Sequence, residues 1–270
     1  METLNETQKR FFETFGYLAF KGLLAEEMGR IIAEFEGVFE QRGITHDPTQ
    51  RSCLVPFIDQ REYLCGLLDH PSITMIAQGL LGDNYNYLGS DGNYYTGNTG
   101  WHSDGYHRQV SYIKIALYLD PVKADTGALR VIPGSHRLEP EDPIRRATRS
   151  KELWGIEAQD VPAVALESQP GDVVVFNHNI MHSSYGGSSH RRMFTINLGQ
   201  HSETAEELLD LENYINSSAR FWIDSLYGPL MLKTAPPQRM AHLQQVLDHQ
   251  TALPALAAKA RLEMAGPARS

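Results

Sequence analysis

The residues best placed to do chemistry in this chain are His102-Ser103-Asp104, the distant His182, and the Arg191-Arg192 pair. Two imidazoles and one carboxylate can occupy one face of an octahedral ion and leave three positions open, a donor set suited to non-haem Fe(II). An arginine's planar fork can hold a carboxylate through two charge-assisted hydrogen bonds, so the pair could anchor an acidic co-substrate beside such an ion. Gly100 to Gly105 reads as the end of a strand, where residues two apart share a side; His102 and Asp104 can then converge while Ser103 points away. Adjacent strand residues face opposite ways, so only one of Arg191 and Arg192 can reach the site.

His-x-Asp carries little information by itself in a chain with 11 histidines. A second candidate of similar form, His201-Ser202-Glu203, opens the stretch Thr204-Ala-Glu-Glu-Leu-Leu-Asp-Leu, which reads as a helix. There Ser202 or Thr204 fits an N-cap, and the glutamates fit first-turn charges. His182 follows a turn signal, Gln169-Pro170-Gly171-Asp172, and a buried-strand run from Val173 to Phe176. His178 lies on the same segment and faces the same way as His182 if that strand runs on unbroken, which makes it the second candidate ligand. Its other reading is a hydrogen-bonded core histidine.

The elements that must position these groups follow from periodicity. Glu6 to Phe15 and Leu24 to Gln41 read as helices, the second with Ile31, Ile32, Phe35, Val38 and Phe39 at helical spacing, and a short helix is expected near Ser72 to Leu81. Tyr85 to Tyr95, Val110 to Leu119, Leu129 to Ile132, Val173 to Phe176 and Met193 to Leu198 read as strands bounded by Gly, Pro, Asp and Ser clusters. Short central strands with helices at both ends predict a mostly β fold, a double-stranded β-helix or jelly roll. The expectation is one domain over 1–270: N-terminal helices at about 6–42, a jelly-roll core at about 83–200, and C-terminal helices at about 203–264. Arg137 to Pro162 reads as a long polar insertion between strands.

Composition narrows the partners. A net charge of -9 argues against a nucleic-acid footprint. No apolar segment follows the N-terminal residues and no run is long enough to cross a bilayer. Two cysteines, Cys53 and Cys65, read as reduced thiols of a cytoplasmic protein.

The chain resembles the phytanoyl-CoA dioxygenase-like enzymes, which depend on Fe(II) and 2-oxoglutarate. The likeness runs from Phe11-Phe12 and Gly16-Tyr17 through Trp101-His102-Ser103-Asp104-Gly105. It continues through Thr126-Gly127-Ala128-Leu129-Arg130-Val131-Ile132-Pro133-Gly134-Ser135-His136 to Pro170-Gly171-Asp172, His182-Ser183-Ser184 and Arg191-Arg192. The resemblance implies that His102, Asp104 and His182 bind iron and that an arginine clamps the distal carboxylate of 2-oxoglutarate. The family usually sets that arginine about eleven residues after the second histidine. Here the offsets are nine and ten, and the pattern Arg-Arg-Met-Phe-Thr maps best with Arg191 first and Arg192 second. Lys114 and Ser184 join them as expected co-substrate contacts.

The implied reaction consumes O2 and 2-oxoglutarate, releases succinate and CO2, and oxidises a substrate C–H bond. An intact Asp104 favours hydroxylation, since related halogenases replace that carboxylate by a small residue. Lys114 interrupts an apolar strand and can bind 2-oxoglutarate or an anionic substrate group, or snorkel to water. Tyr95, Tyr106, His107, Arg108 and Asn93 are the expected substrate contacts, and a small polar or zwitterionic molecule is the expected substrate. The competing reading is a jelly-roll binding protein without catalysis or with another metal. Anaerobic titration with Fe(II) and 2-oxoglutarate separates the two.

Overall fold

Alternation along the central strands decides the architecture. In the computed structural model, which describes residues 3–187 and 189–268, the strands in chain order are β1 (Tyr17–Phe20), β2 (Ser52–Leu54), β3 (Tyr85–Tyr95), β4 (Thr99–His102), β5 (Tyr112–Tyr118), β6 (Leu129–Val131), β7 (Val164–Leu166), β8 (Val173–Asn177), β9 (His182–Ser184) and β10 (Arg191–Gln200). The helices are α1 (Glu6–Phe15), α2 (Met28–Gln41), α3 (Glu62–Gly66), α4 (Pro71–Leu81), α5 (Ser150–Trp154), α6 (Ala205–Ser217), α7 (Pro229–Thr234), α8 (Pro237–His249) and α9 (Leu253–Glu263).

Six strands form one antiparallel sheet in the order β1-β8-β5-β10-β3-β2, and four form a second in the order β4-β9-β6-β7. One face of the larger sheet carries Ile113, Ile115 and Leu117 of β5 and Phe194, Ile196 and Leu198 of β10. These pack with Ile31, Phe35 and Phe39 of α2 and with the other helices in one apolar cluster. The alternate residues, Ala116, Tyr118, Val174, Phe176 and Met193, face the smaller sheet and meet Leu129, Val131 and Leu166. Two facing antiparallel sheets with helices on the outside make the expected jelly roll.

Local chemistry sets the joints. Asn5 and Gln8 form a capping box on α1, and Gly16 ends the helix at φ 82°, with its N–H donating to Phe12. Only glycine takes that left-handed turn readily, so Gly16-Tyr17 is the corner from α1 into β1. Thr204 caps α6 with Glu207 reciprocating, which accounts for His201-Ser202-Glu203 as a helix entrance. The 137–162 insertion carries short helical turns and α5 and packs against the small sheet, with Trp101 donating to the Ala158 carbonyl at 2.7 Å. Arg145 reaches from it to Ser103 Oγ at 3.0 Å and to the Asn179 carbonyl at 2.8 Å. The insertion thus braces the turn that carries Asp104 rather than covering the cavity mouth.

Candidate metal and co-substrate site

β4 and β9 are antiparallel neighbours, and their register sets His102 directly across from His182. Asp104 does not lie on β4, as the sequence suggested, because the strand ends at His102. A bend follows, in which the Asp104 N–H donates to the His178 carbonyl at 2.9 Å and the Gly105 N–H to the same oxygen at 3.4 Å. That bend, rather than strand alternation, brings the carboxylate back to the histidines. One ligand atom from each of His102, Asp104 and His182 lies within 4.8 Å of the others.

The donors are pre-oriented. His102 Nδ1 bonds to the Gly100 carbonyl at 2.8 Å and His182 Nδ1 to the Ile180 carbonyl at 3.0 Å. A carbonyl partner requires the proton on Nδ1, which leaves the Nε2 lone pair of each ring for a metal. Asp104 Oδ2 is buried with no hydrogen-bond partner and sits 3.8 Å from His182 Nε2. Two imidazole lone pairs and an orphaned carboxylate oxygen converging in one place fit a divalent first-row ion.

The charges agree with this. Burial acts to raise the Asp104 carboxyl, but Lys114 first, then His182, His178 and His102, hold it well below the ordinary carboxylate range. Burial pushes His182 down to about 4, so its ring is neutral at neutral pH. Lys114 Nζ stands 3.0 Å from Asp104 Oδ1. Burial works against its ammonium, yet Asp104 outweighs burial and raises it. Lys114 therefore does not snorkel to water; it pairs with the Asp104 carboxylate while lining the cavity described next.

A cavity of about 560 Å³ opens beside these groups, walled by both sheets and by α6. Arg191 lies in its wall, 3% exposed, with Nε and Nη1 buried and without a partner among the described residues. Its guanidinium sits 5.0 Å from the Tyr95 ring centre, and burial lowers its pKa. Gly127, at φ 94°, is the glycine of the Thr126-Gly127-Ala128 run. A Cβ there would collide with Arg191 Nη1, so the glycine makes room for the guanidinium. Ser184 Oγ donates to the Gly127 carbonyl at 2.8 Å and also lines the cavity. A buried, unpaired arginine fork in the same cavity as a three-donor cluster is suited to a dicarboxylate such as 2-oxoglutarate.

Arg192 is corrected. It points to the other face of β10, where it bonds Asp120 at 2.6 Å and pairs with Glu36, outside the cavity. Strand alternation separates the two arginines as anticipated. Among the expected substrate contacts, Tyr95 and His107 line the cavity, and His107 Nδ1 lies 3.2 Å from both oxygens of Asp210 on α6. Tyr106 and Arg108 do not line it: Tyr106 donates to Glu139 at 3.0 Å, Arg108 pairs with Glu139, and Tyr106 borders a smaller neighbouring cleft. Asn93 is fully buried behind the wall, accepting from Arg51 at 2.9 Å and donating to Asp91. β8 ends at Asn177, so His178 and His182 are not on one strand; His178 lines the cavity outside the three-donor cluster.

Sequence reading missed Asp91, Thr195, Asn197, Asp210 and Tyr214, which also line the cavity. The signal for the first three was present as polar residues at alternate positions of otherwise buried strands, as in Thr195 and Asn197 of β10. Asp210 and Tyr214 lie on α6, which carried no signal beyond helicity.

A family model described as phytanoyl-CoA dioxygenase (PhyH) matches residues 12–194. No curated protein sequence matches the chain. Among solved structures, the chain is similar to SnoK, a non-heme alpha-ketoglutarate-dependent carbocyclase from nogalamycin biosynthesis, at 23% identity and a TM-score of 0.59, over 73% of this chain and 84% of that one. EctD from S. alaskensis, also solved with 2-oxoglutarate and 5-hydroxyectoine, aligns in its apoform at 22% identity and 0.58, over 73% and 77%. HygX from Streptomyces hygroscopicus, solved with iron bound, aligns at 16% identity and 0.60, over 76% and 94%. At these identities the structural likeness speaks to the fold. No helix among the described residues is long and apolar enough to cross a membrane.

Proposed function

Because the chain belongs to the phytanoyl-CoA dioxygenase (PhyH) family and is an Fe(II)- and 2-oxoglutarate-dependent oxygenase, we propose that His102, Asp104 and His182 hold its iron and Arg191 its co-substrate. The observation that carries this assignment is the pairing, in one cavity, of three converging donors with a buried unpartnered guanidinium. Iron, 2-oxoglutarate and O2 together supply the oxidant for a substrate C–H bond, with release of succinate and CO2.

The protein's own groups supply positioning. The Gly100 and Ile180 carbonyls fix the ring tautomers of His102 and His182. Lys114 steadies the Asp104 oxygen that faces it. Arg191 receives the distal carboxylate at the other end, with Ser184 and Gly127 shaping the space around it. The sheet walls exclude water from the reacting atoms. We assign hydroxylation as the outcome, on the intact Asp104 carboxylate, and a small polar molecule as substrate, on a cavity of small-molecule size. With only two cysteines in the sequence, Cys53 and Cys65, we place the protein in the cytoplasm, acting as one domain.

The test is anaerobic titration of the purified protein with Fe(II) and 2-oxoglutarate. A weak visible charge-transfer band that saturates at one iron per chain, followed by succinate formation on admitting O2, is the expected result. Absence of the band sinks the assignment.

A further inference from the structure

We propose that His178 and Asn197 form the substrate-recognition subsite of this oxygenase, and that the group they select is an uncharged hydrogen-bonding one, a hydroxyl or amide, rather than a carboxylate or an ammonium. The proposal deepens the iron and co-substrate reading above and rests on it.

The two residues share one end of the cavity. On β5 and β8 the residues that face the small sheet alternate, Ala116 and Lys114 on the first, Val174 and Phe176 on the second. His178 extends the β8 series by one step, and its N–H bonds to the Tyr112 carbonyl at 3.0 Å. Asn197 stands opposite Lys114 on β10. Both line the cavity, and α6 closes this end with Asp210 and Tyr214. Arg191 lies six residues back along the same strand face from Asn197, so the co-substrate clamp and this end are well apart.

What distinguishes the two is that they are buried and unsatisfied. His178 is 1% exposed and Asn197 8% exposed; the two side chains lie against each other, yet among the described residues neither His178 ring nitrogen nor Asn197 Oδ1 makes a hydrogen bond of good geometry, while the Asn197 amide donates to the Gly89 carbonyl at 3.2 Å. A buried polar atom without a partner costs about 1–3 kcal/mol, so such atoms facing a cavity mark where a ligand completes the bonding. An imidazole and a carboxamide present hydrogen-bond donors and acceptors to a ligand and no fixed charge.

The charged groups around them are already engaged. Lys114 is held by Asp104 at 3.0 Å, and Asp210 by His107 at 3.2 Å. Asp91 accepts from Thr195 and Asn93. Arg220, on the same wall, is exposed and lies over the Phe221 ring. A substrate carboxylate would meet no uncommitted buried cation here, and a substrate ammonium no uncommitted buried anion. A hydroxyl or amide would instead satisfy these neutral donors and acceptors. The zwitterionic option raised by the sequence, which relied on Lys114, Arg108 and His107, loses its basis because all three are paired elsewhere.

Four probes of one shape separate the possibilities: cyclohexanol, cyclohexanecarboxamide, cyclohexanecarboxylate and cyclohexylammonium. Each is titrated calorimetrically into the metal-free Arg191→Met variant, which lacks the cavity's carboxylate clamp, and anaerobically into wild-type protein loaded with Fe(II) and 2-oxoglutarate. The alcohol and amide should bind at least about tenfold more tightly than either ion, and Asn197→Leu and His178→Gln should each weaken them by about tenfold, or ~1.4 kcal/mol. A carboxylate or ammonium that binds as well or better, four probes that fail to bind, or well-folded variants with wild-type affinity overturn the proposal. The wild-type ranking decides the matter even where a variant does not fold. Failure of the iron reading shows separately, as loss of the charge-transfer band, while the metal-free titrations still judge the subsite.

Discussion

Replacing Arg191 by methionine separates the co-substrate role from a structural one. The side chain is 3% exposed, and its Nε and Nη1 have no partner among the described residues, so without a co-substrate it is a buried cation lying near the Tyr95 ring. Methionine keeps most of the volume and the ring contact while removing the charge. Truncating one member of a buried charged pair costs about 2–5 kcal/mol, so the Kd for 2-oxoglutarate should rise by roughly one and a half to four decades. The same change removes an uncompensated buried charge from the free protein, so its melting temperature should hold steady or rise. Arg192→Met should behave in the opposite way. It strips Asp120 of its bidentate partner and costs about 1–3 kcal/mol, a few degrees in a chain of this size, with little effect on 2-oxoglutarate. Calorimetric titration under anaerobic conditions and thermal denaturation of both variants provide the two axes. An Arg192→Met Kd that rises as much as that of Arg191→Met, or an Arg191→Met Kd that does not move, refutes the clamp.

Other expectations follow from particular contacts. His102→Ala, Asp104→Ala and His182→Ala should each abolish stoichiometric iron loading with circular dichroism unchanged, whereas His178→Ala should retain its iron; metal analysis after anaerobic loading decides. Lys114→Met leaves Asp104 buried without its ammonium and should destabilise the metal-free protein by about 3–5 kcal/mol, with much of the loss recovered on adding Co(II). An unchanged metal-free melting temperature would show that this pair is not structural. Asp59 is buried, accepting from Tyr87 at 2.9 Å and Gly228 at 2.8 Å, and burial raises its carboxyl to about 6 despite those bonds. A raised carboxyl gives stability that is complete below about pH 4 and lost as pH climbs through about 6, up to about 3 kcal/mol. Asp59→Asn should therefore gain stability relative to wild type between pH 4 and 7 in urea denaturation, and a constant difference across that range would refute the assignment.

The sequence made the scaffold legible where apolar periodicity was long, and failed where elements were short or polar. β3 spans Tyr85–Tyr95 and α1 Glu6–Phe15 as read, because eleven or ten residues carry enough pattern to define an element. α2 begins at Met28 rather than Leu24, since residues 22–27 form turns closed by bonds such as the Ala25 N–H to the Gly22 carbonyl. β2, β7 and β9, three residues each, went unread, whereas the equally short β6 was read; β9 is His-Ser-Ser and owes its strand geometry to β4 and β6 on either side. The three candidate donors were read from type and order, and the structure brings them together, yet Asp104 reaches its place by a bend that no two-residue periodicity encodes. Lys114 was singled out correctly as an anomaly in an apolar strand. Its partner was beyond reach, since pairing with Asp104 depends on how the two sheets face each other.

That dependence also explains where specificity can vary. The donors, Arg191, Gly127 and Ser184 all fall within residues 12–194, the part that matches the family model, and they sit on strands or tight turns whose register is fixed by sheet pairing. Asn197, Asp210 and Tyr214 fall beyond that part, near the end of β10 and on α6. α6 is anchored by its Thr204–Glu207 cap and by Leu211 and Ile215, both buried in the helix-covered core, so its cavity-facing residues can change without disturbing the iron end. Substitution on the exposed side of that wall should alter which molecule is accepted while iron loading and the Fe(II)–2-oxoglutarate band persist. If Asn213→Trp, at an exposed cavity-lining position of α6, weakened iron loading as much as probe binding, the two ends would be mechanically one unit and this division of labour would be wrong.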